Sequence, residues 1–429
     1  MKKILSIILS AFMLFGMASC GSEEHKESKK GFEPKLDTDS SCKINVAGSY
    51  SNFEALEAEF DRFNKYYPNV EMSYTKIDDY NNSIATVLSG KDAPNIFFSF
   101  SWMMGNSAYD TVFDHMENLA DSSLGLDLDC IRPGLLSRDS QGEVLMVPVF
   151  STSYGMLINN DLFEKEGLKV PQNIQELYDV CASFREKGYE SPMMGYSADS
   201  SGCLMNIVAY PIFAAKLAEN PEMVTKANQC DPEAGEYMRP ALETLSQLID
   251  KKCIDLEKCA EINDNYDDVI MRFFKGDVPM MICTGDTVSG TSKRESQSEE
   301  FTAHPFTYTF APIPITDKGG YFLDSPSVQF SVNNSCEDKD MANEFMRFLI
   351  SKQELSQMAS VKRLITPSED LSLDKVYAPV SKTASELVIS PTSLGIEDSL
   401  AVQIRLASYL VATGELTIDQ AVAKYGTLE

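Results

Sequence analysis

From Lys43 onward the spacing of apolar residues changes every few positions, and each change marks an element. Lys43-Ile44-Asn45-Val46-Ala47 alternates as a strand does, and Gly48-Ser49-Tyr50-Ser51-Asn52 breaks it. Phe53, Leu56, Phe60, Phe63 and Tyr67 then recur at the spacing of one helix face, ended by Pro68. Ser51-Asn52-Phe53-Glu54 ahead of them reads as a capping box, the hydroxyl accepting from the first-turn N–H groups and Glu54 reaching back. Val70, Met72 and Tyr74 alternate as a second strand. Tyr80 to Ser89 predicts a short helix, and Asn95 to Phe100 a buried third strand. The order β-α-β-α-β gives a parallel sheet with right-handed crossovers, in which ligands bind beyond the carboxyl ends of the strands.

Further on, Met146 to Phe150 and Gly155 to Asn159 predict two strands on either side of Ser151-Thr152-Ser153-Tyr154. The middle of the chain is mainly helical, over Leu204 to Leu217, Tyr237 to Lys251 and Asp267 to Phe274. Met280 to Cys283, Phe306 to Ile313 and Ser327 to Val332 read as further strands. Met341, Phe345, Phe348 and Leu349 define a late amphipathic helix, and Val402 to Leu410 another. Lys293 to Glu300 looks low in complexity, and no internal repeat is visible.

The start of the chain departs from this pattern. Met1-Lys2-Lys3 precedes an apolar run from Ile4 to Ser19, shorter than the roughly 20 residues of a membrane span and followed by small residues, as in a secretion signal. Gly16-Met17-Ala18-Ser19-Cys20 resembles the lipobox of bacterial lipoproteins, which implies cleavage before Cys20 and lipidation of Cys20. Residues 21 to 41, rich in Glu and Lys, hold too little apolar surface for a core and read as a flexible tether.

Composition narrows the partners. The formal charge is −27, and loss of Lys2 and Lys3 with the signal takes it to −29. Such a body repels polyphosphates and anionic membrane surfaces, so nucleic acid is excluded as a partner. At 429 residues and 43% hydrophobic side chains the chain is too long for one ordinary domain and too apolar for disorder. Nine cysteines remain besides Cys20, an odd number without a CxxC pair. Most read as small buried hydrophobes, with Cys253 and Cys259 close enough in sequence for a local bridge.

Several short motifs then coincide. Gly90-Lys91-Asp92-Ala93-Pro94-Asn95-Ile96 is close to "GxxPDI". Asn159-Asn160-Asp161-Leu162-Phe163-Glu164-Lys165-Glu166-Gly167-Leu168 is similar to "YNKDLFEKxGL", and Phe273-Phe274-Lys275-Gly276-Asp277-Val278-Pro279-Met280 to "FxxGKxAM". With the strand and helix of Ile44 to Phe63 and Gly142 to Val149, they run in order over nearly the whole mature chain. In these motifs the chain resembles the extracellular solute-binding proteins of ABC transporters, family 1, the sugar-type branch that includes maltose-binding protein. The resemblance implies an α/β, two-lobed periplasmic-binding-protein-like fold of type II, each lobe a mixed sheet flanked by helices, with a ligand cleft between lobes and crossing hinge strands. It implies a signal over 1–19, the lipidated Cys and tether over 20–42, one lobe of 43–150 plus 318–363 and a second of 151–314 plus 368–429. It also implies a lipid-anchored monomer outside the cell that binds a small solute, most simply a carbohydrate, closes around it and delivers it to ABC permease subunits, without cofactor or metal. The chain departs from the pattern at Ala47, where the family often has Trp, at Asn95 for Asp, and at Gly285-Asp286-Thr287, where maltose-type members carry Trp. These departures weaken a maltodextrin ligand. Other readings are the same fold holding a peptide or polyol, a surface glycoside hydrolase, and a ligand sensor.

A sugar offers hydroxyls that donate and accept, and apolar C–H faces, so its site needs carboxylates, amides or Arg together with aromatic rings. The strand ends supply Tyr50, Asn52, Ser101, Trp102, Thr152, Tyr154, Asp286, Asp324, Ser327 and Arg363, with Trp102, the one Trp of the chain, and Asp286 foremost. Asn52 has a helix-capping alternative, Asp286 and Asp324 a turn alternative, and Arg363 an ion-pair alternative. Catalysis is not expected. The acids Asp78/Asp79, Asp127/Asp129 and Asp267/Asp268 stand too close in sequence to flank a glycosidic bond from opposite sides, and the three His are scattered. HExxH, GxSxG and GxxxxGK are absent.

Overall fold

Alternating strand segments and one-faced helices build two sheets, as a computed structural model shows. It describes residues 31–429 apart from 105, 140, 264, 370–372 and 429; the expected signal and Cys20 lie outside the described residues. In chain order the first strands are β1 (Lys43–Gly48), β2 (Glu71–Lys76), β3 (Ile96–Ser99), β4 (Val147–Pro148), β5 (Ser151–Thr152), β6 (Tyr154–Asn159) and β7 (Met193–Met194). They are followed by β8 (Met280–Thr284), β9 (Tyr308–Ala311), β10 (Phe322–Leu323), β11 (Ser325–Pro326), β12 (Gln329–Val332) and β13 (Val388–Ile389).

The first sheet has the order β2-β1-β3-β12-β4. Its first three strands are parallel, as the β-α-β-α-β pattern requires, and β12 runs antiparallel to β3 and β4. Helix Glu54–Phe63 buries Leu56, Phe60 and Phe63, each burial contributing about 1.5–3 kcal/mol. Phe53 touches Phe98, Phe150 and Phe330, with ring centroids 5.8, 5.9 and 6.4 Å away. This aromatic cluster fills the sheet end nearest the crossings. It also explains Gly48: a Cβ there would lie 2.4 Å from the Phe98 ring. The second sheet has the order β7-β8-β6-β9, with β6 antiparallel to both neighbours and β7 parallel to β8. Behind it, helices Leu204–Ala218, Arg239–Asp250 and Asp398–Ala412 pack on one another.

The chain passes between the sheets three times, from β4 to β6, from β9 to β12, and from helix Lys352–Lys362 to Val376 and Tyr377 in the second core. The crossings lie side by side: β5 pairs with β11, and Ser151 also bridges Ile365.

The structure adds local detail to four expectations. The capping box at Ser51 is not formed; Phe53 occupies the N-cap with no side-chain bond, and Glu54 instead accepts from the Asn52 amide at 2.9 Å. Lys293 to Glu300 spans the end of helix Thr291–Glu295, a turn and the start of helix Glu299–Ala303, most of it exposed or half-buried and therefore polar. Cys253 and Cys259 are buried free thiols, and the other described cysteines are also free. Within the expected tether, the Lys35 and Leu36 N–H groups donate to Glu344 Oε1 at 2.8 Å and Tyr67 Oη at 3.2 Å, so this end of it is fastened to the body. No described helix is long and apolar enough to cross a membrane.

Candidate functional site

Between the two sheets lies a cavity of about 640 Å³ whose walls come from both. One wall is the loop after β1, with Tyr50, Asn52 and Glu54, together with Val361 and Lys362 at the end of helix Lys352–Lys362. That helix packs against helix Glu54–Phe63, and so belongs with the first sheet. The opposite wall carries Tyr266, Asp286, Ser289 and the segment Ser292 to Arg294, which follow β8 and the helix before it. The volume lies within the roughly 300–1,000 Å³ of small-molecule sites.

Asp286 is the chemical centre of this wall. It enters the cavity because Thr284 caps the short helix Gly285–Ser289, accepting from the Thr287 N–H at 3.3 Å and turning the chain directly after β8. Ser327 Oγ donates to its Oδ1 at 2.6 Å from the second crossing. The Thr152 hydroxyl favours its charged form from the first crossing, without the geometry of a full hydrogen bond. Burial outweighs both and raises the carboxyl pKa above its usual value, although the side chain keeps some surface open to the cavity. Tyr50 faces it across the gap. Its ring stands edge-on to Phe53 and Phe98, and its phenol pKa is raised by burial first and by Asp286 second. Gly290 gives Tyr266 its place, since a Cβ there would come 2.5 Å from the Tyr266 hydroxyl oxygen.

The cavity therefore gathers Tyr50, Asn52 and Asp286 among the expected residues, with Ser327 and Thr152 directly behind Asp286. Ser101 and Trp102 are not among its lining. Ser101 Oγ donates to Gln329 Oε1 at 2.8 Å, and Trp102 stacks on Phe100 at 5.6 Å with Tyr109 edge-on at 5.3 Å. Tyr154 opens β6 beside Tyr210 and receives a 3.4 Å bond from the Asn206 amide; burial raises its phenol pKa to about 12.

Asp324 and Arg363 sit at the crossings with ion-pair partners. Arg363 Nη1 donates to Glu295 Oε1 at 2.8 Å and to Tyr308 Oη at 3.1 Å. Asp324 accepts twice from Arg132, Nε to Oδ2 and Nη2 to Oδ1, both at 2.8 Å. Arg132 also donates to Thr366 O at 2.6 Å, Ser368 O at 2.9 Å and Ser151 Oγ at 2.7 Å. One guanidinium thus uses all five of its donors on three crossings. Sequence reasoning missed Arg132, and also Lys362, Lys293 and Tyr266 in the cavity wall.

The sequence model of bacterial extracellular solute-binding proteins matches residues 47–355. Among solved structures, apo RafE from Streptococcus pneumoniae superposes with a TM-score of 0.68 at 16% identity, covering 92% of this chain and 98% of that one. The GacH receptor of Streptomyces glaucescens, described unliganded and with acarbose, gives 0.64 at 18%, covering 90% and 97%. The sugar-binding protein MalE from Xanthomonas citri gives 0.66 at 15%, covering 90% and 95%. At these identities the likeness establishes the two-lobed fold. No curated protein matches the chain in sequence.

Proposed function

The chain belongs to the bacterial extracellular solute-binding proteins, a family of binding proteins rather than enzymes, and from that premise we propose that it is a lipid-anchored carbohydrate receptor of an ABC importer. The observation that carries this reading is the cavity between the sheets, which sets a carboxylate, a carboxamide, serine hydroxyls and the rings of Tyr50 and Tyr266 around one volume. These are the groups that a polyhydroxylated ring with apolar faces calls for. Asp286 accepts ligand hydroxyls, Asn52 donates and accepts, and Tyr50 and Tyr266 offer ring surface. Ser327 and Thr152 orient Asp286 from the crossings, so that lobe movement and the carboxylate are coupled.

The lobe division at 43–150 plus 318–363 and 151–314 plus 368–429 is supported by the strands: those of the first sheet fall in the former ranges and those of the second in the latter. Closure is a hinge motion at the three crossings. The closed form is what permease subunits receive, and Cys20 holds the monomer at the outer face of the membrane.

Calorimetric titration of the mature chain with mono- and oligosaccharides tests the receptor reading. Saturation at one ligand per chain without turnover is expected. A peptide or a polyol that binds where every saccharide fails would reassign the ligand, and release of a cleaved product would reassign the class. Palmitate labelling of the wild type and Cys20→Ala tests the anchor, with equal labelling against it.

A further inference from the structure

The charges in the cavity wall are not equally provided for. Arg294 is bound to Asp267 and lies over the Tyr266 ring at 5.3 Å. Glu54 is held by Asn52 and Asp286 by Ser327. Lys362 is different. Its ammonium sits 5.0 Å above the Tyr50 ring and 5.8 Å from that of Phe53, half-buried, and no described residue gives it a hydrogen bond or an ion pair. Burial holds its pKa below the usual lysine value; Glu54 pulls it back up and Lys293 pushes it further down. Cation–π attraction holds a desolvated cation over aromatic faces but leaves its N–H donors without acceptors.

Lys293 lines the same cavity from the opposite wall, also without an ion pair among the described residues. Among the described residues, each wall of the cavity therefore presents one cation without an ion pair, in a protein whose net charge is −27. Lys293 already acts on Lys362 across the gap, and narrowing the gap would strengthen that repulsion. A neutral ligand leaves that repulsion in place, whereas an anionic group between them removes it and supplies acceptors to both.

We propose that the ligand is an anionic carbohydrate, whose carboxylate, phosphate or sulfate sits between Lys362 and Lys293 while its hydroxyls reach Asn52 and Asp286. The inference rests on the carbohydrate reading above and adds the charge. It also makes closure selective, because the negative group is what allows the Lys293 and Lys362 walls to meet.

The test is calorimetry of the mature chain against matched pairs: uronic acids and their neutral parent sugars, and sugar phosphates or sulfates and their neutral sugars. The expected result is an acid bound at least about tenfold more tightly than its neutral partner, the pair with the larger ratio identifying the anion, with affinity falling between 50 and 500 mM salt as exposed charges are screened. Lys362→Gln and, separately, Lys293→Gln reduce that ratio, and Lys362→Arg keeps it, with melting temperatures showing that each variant is folded. Neutral sugars bound as tightly as acidic ones, or an unchanged ratio in both Gln variants, overturn the anionic assignment and leave the carbohydrate receptor standing. Failure of every saccharide, neutral or acidic, overturns both.

Discussion

Arg132 and Lys362 are both cations drawn away from bulk water, one where the chain crosses between lobes and one in the cavity wall. Arg132 is 13% exposed, its partner Asp324 6%, and each of its five donors meets an acceptor on one of three crossings. Lys362 rests on Tyr50 and Phe53 in the cavity wall, without a hydrogen bond or ion pair among the described residues. The same charge is thus structural in one place and receptive in the other. The difference is whether the chain itself supplies the acceptors. A fully paired buried group holds geometry, and a half-buried group left without acceptors has affinity to offer.

The comparison breaks first at the crossings. Arg132→Met leaves Asp324 as a buried, uncompensated charge and is expected to cost about 3–5 kcal/mol in urea unfolding. The double variant Arg132→Met/Asp324→Leu should recover much of that loss; no recovery would mean that the guanidinium acts through the backbone carbonyls of Thr366 and Ser368 rather than through the ion pair.

Asp286 sharpens it from the other side. Asp286→Asn is expected to lower ligand affinity about 10- to 100-fold, as loss of charge-assisted hydrogen bonds does, while melting temperature at neutral pH stays level or rises. The sign follows from its raised pKa: a carboxyl that holds its proton more tightly when folded than when unfolded stabilises the fold at low pH and loses that contribution as pH rises through the folded value. For the same reason wild-type affinity falls as pH drops through that value, and the Asn variant loses this dependence.

Trp102 separates cavity from periphery. Trp102→Ala removes stacking on Phe100 worth about 0.5–1.5 kcal/mol of stability and should reduce affinity less than Asp286→Asn does. Equal losses would extend the binding surface to Trp102.

The last effect falls on stability alone and concerns Glu59, buried in helix Glu54–Phe63 and accepting from Arg62, which Glu354 also pairs. Burial, and then Glu354, push its pKa up to about 8. Folded protein therefore holds a proton that unfolded chain has released, and stability declines from about pH 4.5 to about pH 8 and levels beyond. Glu59→Gln should flatten that slope in pH-dependent urea melts without altering affinity.

Much of the fold was legible because its signals are local. Ile44 and Val46 alternate, Phe53, Leu56, Phe60 and Phe63 follow a helix face, and both patterns survive in β1 and the helix after it. Asp286 was legible for a similar reason, since the chain turns directly after β8 and its first polar residues must face the cleft. Arg132 was not. It lies in a stretch without periodicity, and its acceptors at Asp324 and Ser368 are 192 and 236 residues away, so only the crossings bring them together. Lys362 was hidden behind its neighbour Arg363, whose left-handed backbone at φ 49° ends the helix and turns the two side chains to different lobes.

The central claim is that the cavity between the lobes holds a carbohydrate through Asp286. Thermal shift of the wild type and Asp286→Asn against one saccharide panel tests it most directly, because a ligand that binds only folded protein raises its melting temperature. At least one saccharide is expected to stabilise the wild type in a concentration-dependent way and the Asn variant far less. A panel that shifts neither protein, or shifts both equally, contradicts it.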